Sequence, residues 1–287
     1  VGRVAIADVG VLILNGYGLS YSQDLIVTMA QNNIPVVICG SNKLPVCWFW
    51  PGDTNSIQAQ RIDAQIASSL PTQKRLWQSV IKSKLRLNAQ VLQEFGLPHA
   101  PVSSLISQVR SGDSHNIEAL AASRYWHILF GSEFRRDRSA DGINALLNYG
   151  YTIVRSAMAR AVFAAGLHPT VSINHRNKYN AFRLVDDLIE PYRPVVDWRV
   201  RQCASKGQET LDPATKEYLV NVLYQPLHEV RGTTPLLNSC YRLATSLAKV
   251  FTNERHQLLL PENIIFSEET PDDQTEWLSV DVDPTDV

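Results

Sequence analysis

Asn174-His175-Arg176-Asn177-Lys178-Tyr179-Asn180-Ala181-Phe182-Arg183-Leu184-Val185-Asp186-Asp187-Leu188-Ile189-Glu190-Pro191-Tyr192-Arg193-Pro194 is the stretch from which the rest of the chain is read. A histidine and a basic, Asn-rich segment lead into a short helical pattern, with Phe182, Val185, Leu188 and Ile189 near helical spacing. On one such helix Asp186, Asp187 and Glu190 share a side, because positions three and four apart are neighbours. Three carboxylates that close repel unless water or a cation stands among them. Arg183 and Arg193 can serve as partners, and a divalent metal would neutralise more charge per site. Two readings stand side by side. One is a solvated acidic face capped by Arg193. The other is a metal site with His175 as nitrogen ligand and Glu190 as oxygen ligand.

Around this stretch the chain has 287 residues, which predicts two domains or one large one. With 45% hydrophobic and 19% charged residues it can bury a sizeable core. No apolar run reaches the roughly 18 residues of a membrane span, and no signal-peptide pattern is present. The chain opens on Val1, not Met, so part of a native N-terminus is expected to be missing. Cys39, Cys47, Cys203 and Cys240 form no CxxC pair and sit mostly among apolar residues. They read as reduced core thiols of a cytosolic protein.

The net charge of −1 hides an uneven distribution. No Lys or Arg follows Arg255, whereas nine acidic residues lie between Glu262 and Asp286. Residues 1–255 therefore carry 27 basic against 19 acidic residues, a net +8, and the tail is acidic. A basic body is compatible with nucleic acid. The tail is expected to be extended or disordered unless a partner holds it. It is also expected to fold over the basic body when DNA is absent.

The order of patterns predicts an α+β chain. Residues 1–55 read as a small β-rich domain, α/β or sandwich-like, with apolar runs at 9–14, 34–40 and 44–50 and turn signals at Asn15-Gly16 and Pro51-Gly52. Ser22 is placed to cap a helix from Gln23 to about Gln31. Residues 56–71 are expected as a linker helix, 72–255 as a larger all-helical domain, and 256–287 as the acidic tail. Thr72 to Gln93 is a basic helix carrying Lys74, Arg75, Lys82, Lys84 and Arg86 beside Trp77. It is either a solvated face or a DNA contact. Asp113 or Ser114 can cap the next helix, from whose first turns Glu118 projects beside Ala121 and Ala122. Taken alone, a glutamate there is better explained by a favourable helix-dipole role near the N-terminus. Arg135, Arg136 and Arg138 form a compact basic loop. The helix at 142–167 carries Asn144, Asn148, Tyr151 and Arg155 on one stripe, more polar than a core helix needs. A helix from Pro213 and a last one from Pro235, capped by Thr234, complete the body.

Three pieces agree in order and spacing: Gly112-Asp113 with Asn116-Ile117-Glu118 and Ala121 to Trp126; Leu146-Leu147-Asn148-Tyr149-Gly150-Tyr151; and Gly166-Leu167-His168-Pro169 through His175 to Asp187-Leu188-Ile189-Glu190-Pro191-Tyr192-Arg193-Pro194. Together they resemble the CRISPR-associated spacer-acquisition integrase, the first-numbered protein of that system, in the branch found with single-effector (type II) loci. The resemblance runs to about residue 255.

It implies a prokaryotic, cytoplasmic protein with an N-terminal β-rich domain and a helical catalytic domain. Carried over by motif, the metal and catalytic ligands fall on Glu118, His175 and Glu190, with Asp187 as an accompanying acid. Glutamate at 190 stands where other branches use aspartate. The implied ion is Mg²⁺ or Mn²⁺, since hard ions accept carboxylate oxygen and Mn²⁺ also accepts imidazole. The implied reaction is transesterification: a prespacer 3′-hydroxyl attacks a phosphodiester of CRISPR repeat DNA. Lys74, Arg75, Lys82, Lys84, Arg86, Arg135, Arg136, Arg138, Arg176 and Lys178 would then grip phosphates in a salt-sensitive way. A homodimer and a small second CRISPR adaptation protein are the implied partners. Two other readings remain: a non-catalytic DNA-binding scaffold with the same fold, and a metal hydrolase of small phosphate esters.

Overall fold

A computed structural model describes residues 3–9, 12–14, 16, 18–32, 34, 36–40, 45–49 and 58–266. Asn15, Pro51 and Gly52 of the expected turns, and the tail past residue 266, lie outside the described residues.

The N-terminal part is a three-stranded sheet with one helix. Strand β1 (Leu12–Leu14) is followed by α1 (Gln23–Gln31), β2 (Val36–Cys39) and β3 (Pro45–Phe49), in sheet order β1-β2-β3. The hydroxyl of Ser22 accepts from the N–H of Leu25 at 3.2 Å and starts α1, as its sequence position predicts. β1 and β2 run parallel, so a crossover has to join them, and α1 provides it. β3 returns antiparallel to β2. Met29, Ile34 and Val36 form a small core under this sheet, with Leu12, Leu14 and Phe49 packed on it.

The rest is built on one long helix. α2 (Gln58–Ile66) precedes α3 (Leu70–Glu94), α4 (Ala100–Ser103), α5 (Ile117–Phe130), α6 (Ile143–Ala164), α7 (Arg183–Leu188), α8 (Arg193–Ser205) and α9 (Pro213–Val220). Strands β4 (Pro226–Glu229) and β5 (Gly232–Pro235), then α10 (Leu236–Phe251) and β6 (Asn263–Ile264), close the described chain. α3 passes through the middle, with Val80, Ile81, Leu85, Leu87, Val91 and Leu92 fully buried. α5, α6, α8 and α10 pack around it or around each other in one continuous core.

Four expectations are corrected. The larger domain is not all-helical, since β4, β5 and β6 form an antiparallel sheet in the order β5-β4-β6. Its strands are too short to give a period-two run, and only Leu227, Glu229, Thr234 and Ile264 face inward. Within the expected 56–71 linker, the described residues are tied into the larger domain. Arg61 donates to the carbonyl of Ala165 at 3.1 Å, and Gln65 bonds both the carbonyl and the N–H of His168. The tail does not begin at residue 256: Ile264 pairs with Leu227, and Phe266 packs on Trp198 at 5.3 Å between rings. Asp186, Asp187 and Glu190 are not on one continuous helix. α7 ends at Leu188, Glu190–Tyr192 is a 3₁₀ turn containing Pro191, and α8 starts at Arg193. The three acids consequently face three different partners.

Candidate active site

Glu118 sits in the first turn of α5. The buried carboxylate of Asp113 fixes that turn by accepting from the N–H groups of Ile117 at 2.9 Å and Glu118 at 3.0 Å. Of the two caps the sequence offers, Asp113 is the one used. Glu190 opens the 3₁₀ turn between α7 and α8 and is buried. The two glutamates are 72 positions apart in the chain. They meet at one cation: the Lys84 ammonium lies 2.6 Å from Glu118 Oε1 and 2.5 Å from Glu190 Oε2. Arg193 donates to the other oxygen of Glu190 at 2.7 Å. Burial alone would raise the Glu190 pKa, but Arg193 and Lys84 outweigh it and hold it at about 2. Burial likewise opposes charge on Lys84, and Glu190 and Glu118 reverse that effect, so its pKa ends above the usual value. Removing one member of such a buried pair costs about 3–5 kcal/mol, because its partner is left uncompensated.

His175 is held from behind. Asp187 is fully buried, and its Oδ2 accepts from the N–H groups of Ile173 at 2.8 Å and Asn174 at 3.0 Å. Its Oδ1 accepts from the N–H of His175 at 3.1 Å and from the ring Nδ1 at 2.6 Å. The hydrogen bond to Asp187 raises the His175 pKa, with burial opposing it and Asp187 and Glu190 adding to it electrostatically. Trp77 meets the imidazole edge-on at 5.7 Å. With Nδ1 engaged by a carboxylate, Nε2 is the nitrogen oriented for a ligand, the arrangement typical of metal-binding histidines. Asp187 is thus the residue that orients His175, with its oxygens turned to the 173–175 loop. Asp186 goes elsewhere, to Arg155 at 2.5 Å and Asn180 at 2.6 Å.

A polar layer lies beside Glu190. Arg136 donates to Asn144 at 2.8 Å and to Asn148 at 2.6 Å, and its guanidinium stands 5.6 Å over the Tyr151 ring. Arg193 faces the same ring at 4.6 Å. The Tyr151 hydroxyl donates to Asp197 of α8, whose pKa is pushed up to about 7 by burial. The polar stripe of α6 is thereby accounted for: Asn144 and Asn148 hold Arg136, Tyr151 holds Asp197, and Arg155 holds Asp186.

The ten basic residues expected on a phosphate-gripping surface divide. Lys74, Arg75, Arg86, Arg135, Arg138, Arg176 and Lys178 are exposed, and Lys82 is half-buried. Lys84 is corrected: its ammonium belongs to the two glutamates and not to the surface. Arg136 is corrected in the same sense, because Asn144 and Asn148 draw it inward. The signal for Lys84 was available in the sequence. It lies on the stripe of Trp77, Val80, Ile81, Asn88 and Val91, all buried in the structure, and a lysine at a core-facing position needs carboxylate partners. Asp197 gave no signal, since its partner comes from 46 positions away.

As arranged, no three His, Cys, Asp or Glu side chains among the described residues form a set that could hold a metal ion. Glu118 and Glu190 are brought together, whereas His175 is bonded to Asp187 and is linked to Glu190 only through that carboxylate's electrostatic effect on the imidazole. The donor set nevertheless fits a divalent ion in kind. Two carboxylates converge where a cation is already required, and an imidazole is oriented through its far nitrogen. Glu118, Glu190 and His175 would be the residues to hold it.

A family model described as CRISPR associated protein Cas1 matches residues 1–219. The CRISPR-associated endonuclease Cas1 of Neisseria meningitidis serogroup C (strain 8013) is 32% identical over 264 residues, covering 90% of this chain and 86% of that protein. A solved structure described as a casposase bound to integration product superposes with a TM-score of 0.74 at 20% identity, covering 88% of this chain and 80% of that one. A chain of a Cas6-RT-Cas1–Cas2 complex superposes with a TM-score of 0.67 at 18% identity, covering 85% of this chain and 31% of that one. The last two identities speak for a shared fold. The family model spans well over half of the chain, and the Neisseria relative is matched over most of its length; on both grounds the chain belongs to the Cas1 family of CRISPR-associated proteins.

Proposed function

We propose that the chain is a metal-dependent DNA integrase and endonuclease of CRISPR adaptation, joining prespacer 3′-hydroxyl ends to CRISPR repeat DNA by transesterification. The observation that carries this reading is the convergence of Glu118 and Glu190 on one cation position; Asp187 orients His175, whose imidazole feels the charge of Glu190. The endonuclease name of the Neisseria relative and the integration product in the casposase structure support it. Mg²⁺ or Mn²⁺ held by Glu118, His175 and Glu190 would supply Lewis acidity toward the attacking hydroxyl and the phosphate.

The chain's own residues do the rest. Asp187 holds the His175 ring, and Asp113 holds the turn that carries Glu118. Arg193 keeps Glu190 ionised, so a carboxylate is always presented. Arg136 and Arg193 bring positive charge close to a phosphate bound at the glutamates. Exposed Lys74, Arg75, Arg86, Arg135, Arg138, Arg176 and Lys178, with Lys82, grip flanking DNA phosphates, and that grip weakens steeply with salt. The partners in this reading are double-stranded DNA, a second copy of the chain and a small second CRISPR protein, in a prokaryotic cytoplasm. No helix among the described residues is long and apolar enough to cross a membrane. Exposed Leu19, Tyr21, Val27 and Val46 offer the N-terminal domain as a dimer contact.

One observation favours a second reading, that of a DNA-binding scaffold: Lys84 and Arg193 satisfy both glutamates without any metal. Transfer of a labelled 3′-hydroxyl oligonucleotide into repeat DNA, with and without Mn²⁺, separates the two. The integrase reading expects Mn²⁺-dependent transfer by the wild type and none by Glu190→Ala. DNA binding without transfer by the wild type, with the second CRISPR protein present, would leave the scaffold.

A further inference from the structure

Lys84 is placed as no phosphate-gripping lysine would be. Its ammonium is within 2.6 Å of both proposed ligand carboxylates, and its side chain is only 14% exposed. Its neighbours make a closed charge set. Glu118 and Glu190 carry two negative charges, and Lys84 and Arg193 carry two positive ones. The cluster is neutral as it stands. A divalent ion entering beside an unmoved Lys84 would leave two uncompensated positive charges in a largely buried site, which is strongly unfavourable. The ammonium also lies between the oxygens that the ion would take. Arg193 is the fixed member of the set, because it bonds the opposite oxygen of Glu190 and rests on Tyr151. Lys84, on a flexible four-carbon stem, is the member that can leave.

We propose that Lys84 is the built-in counter-cation of the metal-free site, and that metal loading is an exchange in which its ammonium is displaced from Glu118 and Glu190. The inference rests on the metal-site reading above. Lys84 then has two effects. It keeps the two glutamates gathered while no metal is bound, so the site does not fly apart by repulsion. It also lowers metal affinity, because the incoming ion must break two ion pairs. Once displaced, the ammonium stays within reach of a phosphate brought to the same place, which makes loading more favourable with nucleic acid than without it.

The test is Mn²⁺ binding to the full chain without DNA, by calorimetry, for wild type, Lys84→Met and Glu190→Gln, with thermal melts in EDTA and in Mn²⁺. Methionine keeps the apolar stem and removes the charge. The proposal expects Lys84→Met to bind Mn²⁺ roughly tenfold more tightly than wild type, a typical coupling between two competing occupants. It also expects a lower melting temperature in EDTA and a larger rise with Mn²⁺. A merely structural lysine would give the lower melting temperature without the gain in affinity. Equal or weaker binding by Lys84→Met, with binding by wild type lost in Glu190→Gln, overturns the proposal and leaves the metal site standing. No binding by either wild type or Lys84→Met overturns both. Should Lys84→Met fail to fold, the wild type answers by itself: acetylation of the Lys84 amine, read by mass spectrometry, rises several-fold with Mn²⁺. Unchanged or reduced acetylation overturns the exchange.

Discussion

Asp187 is the residue on which the geometry of His175 depends. It is buried, makes four hydrogen bonds to one three-residue loop, and among the described residues has no cation within ion-pair distance other than the imidazole. An asparagine there has one acceptor oxygen for the same four donors. Asp187→Asn is therefore expected to lose about 2–4 kcal/mol of stability in urea denaturation, the cost of leaving buried N–H groups poorly paired. It is also expected to lose Mn²⁺-dependent transfer while exposed basic residues still bind DNA. Asp197 makes a second prediction at this scale. Folded, it keeps its proton to about pH 7 because it is buried, whereas its ordinary value is 3.8. Between those values the folded state binds more protons than the unfolded one, so the Asp197 contribution to stability falls as pH rises through the window and is level above it. Asp197→Asn removes that dependence. Its stability relative to wild type should rise between about pH 4 and pH 7, with a ceiling of ~4 kcal/mol, in denaturant titrations at each pH.

At the scale of elements, the site depends on how closely α6 and α8 approach. A Cβ at Gly150 would overlap Val196 Cγ1, so an alanine there must displace that side chain or the helix that carries it. Those helices carry Tyr151 and Asp197, the residues beside Glu190. Gly150→Ala should cost about 1–3 kcal/mol, and Val196→Ala should recover part of it in the double variant, a coupling that denaturation of all three variants measures. Elements with strong apolar periodicity were legible in the sequence: α3, α5, α6 and α10 fall within a few residues of their expected spans. Glu118, His175 and Glu190 were legible as residues of interest, and two of them share a cation. What was not legible lacked a local signal. The sheet of β4, β5 and β6 is built from strands of two to four residues, one of them from a segment expected to be tail. The run from Asp186 to Glu190 looked like one helix face because periodicity takes no account of the break that Pro191 and the following turn impose. Lys84 was read by its charge and not by its stripe.

For the whole molecule, the division between body and tail has moved. Ser83 donates to the carbonyl of Pro261 at 2.8 Å, Ile264 is in the sheet, and Phe266 is on the core. A truncation that starts at 261 should therefore destabilise the body. One that removes 267–287 takes away eight acidic residues and no basic ones while sparing those contacts. Its expected effect is several-fold tighter DNA binding at low salt, fading as salt screens the charges. Unchanged low-salt affinity would rule out tail-over-body competition. The claim beneath all of this is that one divalent ion is held jointly by Glu118, Glu190 and His175. Pulsed electron paramagnetic resonance of the full chain titrated with Mn²⁺ addresses it directly. The account predicts one bound ion per chain with a nitrogen hyperfine coupling that disappears in His175→Ala. A bound ion without nitrogen coupling, or one whose coupling survives that substitution, would contradict it.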